Sequence, residues 1–365
     1  MSESKLGEAQ RQFDVCNSCR YCESICAVFP AAELRDTFSQ GDLAYISNVC
    51  HDCRACLDAC QYAPPHEFGV NIPKLLAESR VESYERYSRP AAFARMLRSS
   101  GWSTATVALA AIAAILAAVA VTIGVSVLIT AHQGPGAFYR VVPYVAMVAG
   151  GLAAALYGLV ISIAGGLAFW KDSGESLRDL LDVRAHGRAI WEAVTLHYTK
   201  GGGAGCHYPE RAASSLRSTF HQLVFWGFLS DFIATTLAAI YQDFLGIMPP
   251  FRVLSIPVMF GIVGGVMLVV GCSGLTVLKV NSDKDLAAAE MTVMDYVFLV
   301  LLNLVAISGL ALLLFRGTQV MGWLLGIHLG LVGVLFVTAP YGKFVHVVYR
   351  YLALVKHRLE VERTS

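Results

Sequence analysis

Six long stretches of the chain contain no Lys, Arg or Glu, and that constraint dominates what it can fold into. They run approximately over 103–130, 141–169, 218–242, 253–278, 296–315 and 317–342, the last staying apolar past Lys343 to about Leu352. About 20 apolar residues suffice for a helix to cross the hydrocarbon core of a bilayer, and every stretch reaches that length. A composition of 56% hydrophobic and 15% charged residues, with a mean hydropathy of +0.56, fits a chain that lies largely in lipid. Pro143, Pro257 and Pro340 read as internal prolines, which membrane helices tolerate. Gly150-Gly151, Gly165-Gly166 and Gly261-x-x-Gly264-Gly265 suit close helix packing. The 28 basic and 27 acidic residues nearly cancel, and no Lys/Arg run is available to bind nucleic acid.

Charge placement sets an expected orientation. Segment 170–217 carries Lys171, Arg178, Arg184, Arg188, Lys200, Arg211 and Arg217, whereas the connections near 131–140, 243–252 and 315–316 hold one Arg each. The positive-inside rule then puts both termini in the cytoplasm, in a multi-pass protein of a bacterial inner membrane. The polar start MSESKLGEAQ shows no signal peptide. The chain therefore divides into a Cys-rich head (1–75), a charged connector interrupted at Pro90 (76–100), which reads as a solvated helical neck, and a membrane domain (101–365) with its cytoplasmic loop at 170–217.

Eight of the ten cysteines lie between Cys16 and Cys60. They form two identical runs, Cys16-x2-Cys19-x2-Cys22-x3-Cys26 and Cys50-x2-Cys53-x2-Cys56-x3-Cys60. In a reducing compartment such thiols point to metal ligation rather than disulfides. Three thiolates spaced by two residues wrap one [4Fe–4S] cubane, and the fourth of each run usually reaches the other cluster. This assigns Cys16, Cys19, Cys22 and Cys60 to one cluster and Cys50, Cys53, Cys56 and Cys26 to the second. Structural zinc favours two short Cys pairs across a long spacer instead. Cys26 is followed by Ala27 and Cys60 by Gln61-Tyr62-Ala63-Pro64. Together with helix-forming intervals such as AAELRDTFSQGDLAYISN, this favours an α-helical ferredoxin-type head.

Ligand-capable side chains in lipid are costly and mark function by default. His221 starts the third stretch and His346 ends the sixth, both at the cytoplasmic level, as the two axial ligands of a b-type haem on facing helices would. His328 precedes His346 by 18 residues, five turns, which puts both on one helix face about 27 Å apart. It is read as a ligand to a second haem or part of a quinol or proton site. Asp231, ten residues after His221, is either a proton relay or a buried neutral acid. The bland alternative for each His is a packing residue bonded to Ser, Thr or a carbonyl. In the loop, Lys200-Gly201-Gly202-Gly203-Ala204-Gly205-Cys206-His207 reads as a flexible turn or as backbone that approaches a partner closely. Cys272 reads as a packing residue.

The double Cys run, the six stretches, GGGAGCHYPE followed by STFHQLVFWGF, and the terminal PYGKFVHVVYR together resemble the tricarballylate/citrate-utilisation protein B family, related to the membrane half of the flavohaemoprotein CobZ. The resemblance covers essentially the whole chain. It implies a protein that reoxidises the FAD of a separate tricarballylate dehydrogenase and delivers electrons to the quinone pool. The membrane half is also similar to the di-haem cytochrome b subunit of respiratory nitrate reductase, in which one helix carries two His 18 apart and another carries two His ten apart. His328 and His346 match the first pair and His221 one member of the second, with Asp231 where the other would stand. The expected fold is thus all-α, an α-helical ferredoxin-type head with two [4Fe–4S] clusters fused to a six-helix cytochrome b-like bundle. A competing reading runs electrons from quinol to a cytoplasmic acceptor, as in heterodisulfide-reductase-like systems.

Overall fold

The computed structural model describes residues 3–99, 101–203, 205–210, 212–283 and 288–364. Apart from short 3-10 turns and one β-bridge between Cys206 and Ser214, the regular structure among them is α-helical. The head opens with α1 (Glu3–Cys19), α2 (Val28–Glu33), α3 (Gln40–Val49), α4 (Ala55–Asp58), α5 (Ile72–Tyr87) and α6 (Ala91–Ser99). A capping box starts α3: Ser39 accepts from the Asp42 amide while the Asp42 carboxylate accepts from Ser39, which satisfies two otherwise orphaned donors. Asn71 caps α5, with Pro73 in its first turn, where no amide hydrogen is needed.

Six helices among the described residues are long and apolar enough to cross a membrane. They are α7 (Gly101–Thr122), which a short α8 (Ser126–Ile129) follows, α9 (Tyr144–Asp172), and, after α10 (Val183–Thr195), α11 (Leu216–Asp243), α12 (Ile256–Val280), α13 (Ala289–Phe315) and α14 (Met321–Thr338). Their outer faces expose large apolar side chains such as Val121, Val145, Leu152 and Val160, which lipid rather than water can cover. Glycines set the tightest crossing: a Cβ on Gly227 would meet the Gly264 carbonyl at 2.9 Å, and one on Gly271 the Phe220 carbonyl at 2.9 Å, so α11 and α12 touch backbone to backbone.

The last helix, α15 (His346–Thr364), departs from the sequence expectation. The sixth stretch is not one continuous helix, because α14 stops at Thr338 and Pro340 follows. Ala339 is still helical, but Pro340 has no amide hydrogen to continue the ladder, and the extended Gly342 then leads the chain into a 3-10 turn at Lys343–Val345 before α15 begins. His328 and His346 therefore sit on different helices, and no single helix face joins them. The other two prolines read as internal also lie at helix starts, Pro143 as the cap of α9 and Pro257 in the first turn of α12.

The connector is not a solvated neck. Leu75, Leu76, Val81, Tyr84 and Tyr87 of α5 are buried in one core with Phe13 of α1, Tyr45 and Ile46 of α3, Phe169 and Trp170 of α9, and Tyr349, Ala353 and Leu354 of α15. Its charges find partners: Arg86 pairs with Asp172 at 2.9 Å, and Arg80 is buried against backbone carbonyls. α3 meets the end of α9 at Gly41, where a Cβ would collide with the Asp172 carbonyl oxygen. Head and bundle are thereby packed as one body, with the Tyr45 hydroxyl donating to Glu360 of α15 at 2.8 Å.

Candidate metal centres

The cysteines of the two runs are brought close to one another in the head. Burial, then the nearby Cys60, Cys22 and Cys19 thiols, push Cys16 up to about 12. Burial and Cys60 push Cys22 up to about 11. In the other set, burial and the Cys50 thiol raise Cys26, while burial and the Cys26, Cys50 and Cys53 thiols raise Cys56. Cys22 also stands near Cys26 and Cys56, its sulfur 4.0 Å from the Cys56 carbonyl, so the two runs adjoin. Among the described residues no three His, Cys, Asp or Glu side chains converge tightly enough to hold a single metal ion.

Local backbone geometry aims the thiols. Arg20, immediately after Cys19, and Asp52 and Arg54, on either side of Cys53, adopt left-handed conformations with φ of 55°, 53° and 63°. Such conformations are uncommon for non-glycine residues and tighten the chain around what it encloses. Around the second set the chain leaves a pocket lined by Cys26, Cys50, Cys53 and Cys56 with Ile25, Phe29, His51, Arg54 and Tyr198. Cys50 caps the end of α3, and its sulfur accepts from the Asp52 amide at 3.4 Å.

Sequence reasoning missed the cations around this cavity. Arg80 donates to the Ser47 and Cys50 carbonyls at 2.7 and 2.6 Å, and Arg350 to those of Asn48 and Cys50 at 3.3 and 3.0 Å. Arg217 donates to the Asp52 carbonyl, and Arg54 and Arg217 both stand over the Tyr208 ring, 4.8 and 4.9 Å from its centre. Burial, with Arg80 beside it, pulls Arg350 down to about 10. Neither Arg80 nor Arg350 is paired with a carboxylate among the described residues. A buried charge demands compensation, so these guanidiniums fit an anionic occupant among the four thiols.

The Gly-rich loop settles as backbone in close approach. The His207 amide donates to the Cys53 carbonyl at 2.8 Å, Cys206 is buried, and Gly205 takes a φ of 94° where a Cβ would collide with Ala213. Tyr198 and Tyr208 from the same loop cover the second set, with Tyr198 against His51. A glycine-dense run bounded by aromatic and Cys-His residues was the available signal.

In the bundle, His221 and His346 do meet, with ring centres 6.3 Å apart and planes at 87°. A metal midway between two imidazole nitrogens, each about 2 Å from it, would need ring centres about 6 Å apart. His346 Nδ1 donates to the Lys343 carbonyl at 2.6 Å, which leaves Nε2 with its lone pair free, and burial and the Arg350 guanidinium keep the ring neutral. His221 Nδ1 is buried with no hydrogen-bond partner, as an unsatisfied ligand atom would be. The donor set therefore fits an iron porphyrin. Lys343 is itself anchored by Asp295 at 2.8 Å, which also pairs with Lys279 at 2.6 Å.

The remaining residues stand apart. His328 Nδ1 bonds the Ser308 hydroxyl at 3.0 Å and its ring lies against Gly309, the geometry of a helix-packing residue. Asp231 sits over Gly264 of α12, ten residues along α11 from His221. Cys272 is buried among Leu268 and Leu302 as packing.

A family described as Citrate utilization protein B matches residues 100–365, and its companion, described as Citrate utilization protein B Fer4-like domain, matches residues 9–86. Citrate utilization protein B of Escherichia coli is 40% identical over 363 residues, which cover 98% of this chain and 93% of that protein. The chain belongs to the citrate utilization protein B family. The family's Fer4-like match spans both Cys runs, and its second match spans all six membrane-capable helices and α15. No solved structure matches the chain.

Proposed function

We propose that this member of the citrate utilization protein B family is a membrane electron conduit. It takes electrons from the FAD of a separate dehydrogenase that oxidises a tricarboxylate such as tricarballylate, and delivers them to membrane quinone. Two [4Fe–4S] clusters, one at Cys16, Cys19, Cys22 and Cys60 and one at Cys50, Cys53, Cys56 and Cys26, and haem b between His221 and His346 are its resident carriers. When bound, these groups supply one-electron exchange between a flavin and a quinone that each trade two. The head faces the cytoplasm of a bacterial inner membrane in this reading, as the basic loop 170–217 requires.

The observation that carries the proposal is the pocket whose walls include all four thiols of the second set. Four thiols that line one pocket suit a polynuclear core. Arg350 holds the Cys50 carbonyl and stands one helical turn after His346, so a single turn of α15 spans the two centres. The protein's own work is positional: Cys50 and Cys53 are held away from water, Arg80 and Arg350 offset negative charge, and Lys343 fixes the His346 tautomer.

The test is direct. Purified protein mixed with its reduced flavoprotein partner should shift the haem Soret and α bands, and analysis should find about eight irons with acid-labile sulfide, plus haem iron. Bands that stay unmoved by the reduced partner would refute the conduit.

A further inference from the structure

A second pocket lies between the start of α7, the first turns of α13 and the end of α14. Val293, Val297, Phe298, Leu301 and Leu335 make its walls apolar, and Val293, 44% exposed, puts its rim on the outer surface of the bundle. An occupant therefore reaches it sideways, from the lipid. Arg98 and Lys343 both line it, Lys343 being paired with Asp295 at 2.8 Å. The Arg98 side chain is only 8% exposed; its Nε donates to the Tyr341 carbonyl at 3.1 Å and its Nη2 to the Ser88 hydroxyl at 3.2 Å. Nη1 has no hydrogen bond, and Glu85 is 3.8 Å away. A buried guanidinium with an unused donor beside an apolar cavity is costly unless an acceptor completes it.

We propose that this cavity binds the headgroup of a membrane quinone, with Arg98 Nη1 donating to a ring carbonyl and the isoprenoid tail leaving past Val293. The inference rests on the conduit reading and locates its acceptor. A quinone meets each demand of the site: it is lipid-soluble, flat, apolar on its faces, and presents oxygen acceptors at its edge. The position also suits the electron path. Phe344 lines the cavity two residues before His346, and its ring packs on Phe298 at 5.8 Å and on Phe228, which lies on α11 with His221, at 5.4 Å.

The experiment titrates the purified full-length protein with the fluorescent quinol analogue 2-heptyl-4-hydroxyquinoline N-oxide. Saturable quenching is expected, reversed by a short-chain ubiquinone or menaquinone and not by a short-chain phosphatidylglycerol. Arg98→Met should weaken binding at least tenfold, Arg98→Lys less, and Val297→Trp, which plugs the cavity from its rim without touching the guanidinium, at least tenfold. Haem content by pyridine haemochrome should stay at the unmutated level in all three. Normal binding in both Arg98→Met and Val297→Trp would overturn the site while leaving a quinone acceptor standing. No binding to the unmutated protein would overturn the site and the quinone acceptor together. Equal displacement by the phospholipid would make this a lipid headgroup site, and haem loss in Arg98→Met would assign the guanidinium to a porphyrin carboxylate; either overturns the proposal.

Discussion

The two cysteine runs share one spacing and have different surroundings. In the first set Cys19 is exposed and Cys16, Cys22 and Cys60 are half-buried, at the outer end of α1. In the second, Cys50 and Cys53 are buried beneath Tyr198 and Tyr208, with Arg54, Arg80, Arg217 and Arg350 around them. Spacing selects the ligands, whereas the neighbours set how much negative charge a site tolerates. A cation near a redox centre favours its reduced, more negative form. In the proposed conduit the more exposed set would be the entry for electrons and the cation-lined set their destination on the way to the histidine pair.

The strongest way to break this comparison is to remove one set at a time. Cys56→Ala should abolish the buried cluster and Cys19→Ala the exposed one, each lowering iron and sulfide by roughly half. Distinct EPR signals should survive in the two variants; identical residual spectra would show that the sets are not separate. Gly41→Ala drives a methyl into the Asp172 carbonyl and forces α3, which carries Cys50, off α9. A cost of about 1–3 kcal/mol is expected, read as a lowered midpoint of thermal unfolding and a broadened signal from the buried cluster alone. Arg350→Gln keeps a donor for the Cys50 carbonyl and deletes the charge, so the buried cluster should drop in potential by about 60 mV, tenfold for a one-electron couple. An EPR-monitored redox titration that found both clusters moving equally would erase the proposed contrast. Ser39→Ala, which removes the cap of α3, should cost about 1 kcal/mol in stability and leave both potentials in place.

Local signals made part of this legible. Thiol spacing and apolar runs are written within a few turns of chain, so a Fer4-like head and all six membrane-capable helices follow from the sequence. His221 and His346 were legible as a depth-matched pair, although the argument that placed His328 and His346 on one helix face fails at Pro340. The pair still meets because α15 restarts at the same level. What the sequence hid is long-range. Arg80 looks like a solvent-facing charge in KLLAESRVESYERY, and only the packing of α5 on α3 turns it onto the Cys50 carbonyl. Arg217 and Tyr208 reach Asp52 and Arg54 across more than 150 residues of chain, where no local pattern could announce them.

That α15 shares a core with α1, α3 and α5 has a consequence for how the protein is made. Ribosomes deliver the N-terminal cysteines first, yet the packing that encloses the second set includes side chains translated after every hydrophobic span. The shell around those thiols is therefore complete only once the last span is in the bilayer, and a cluster held there in the proposed conduit would be sealed from water at that point and not before.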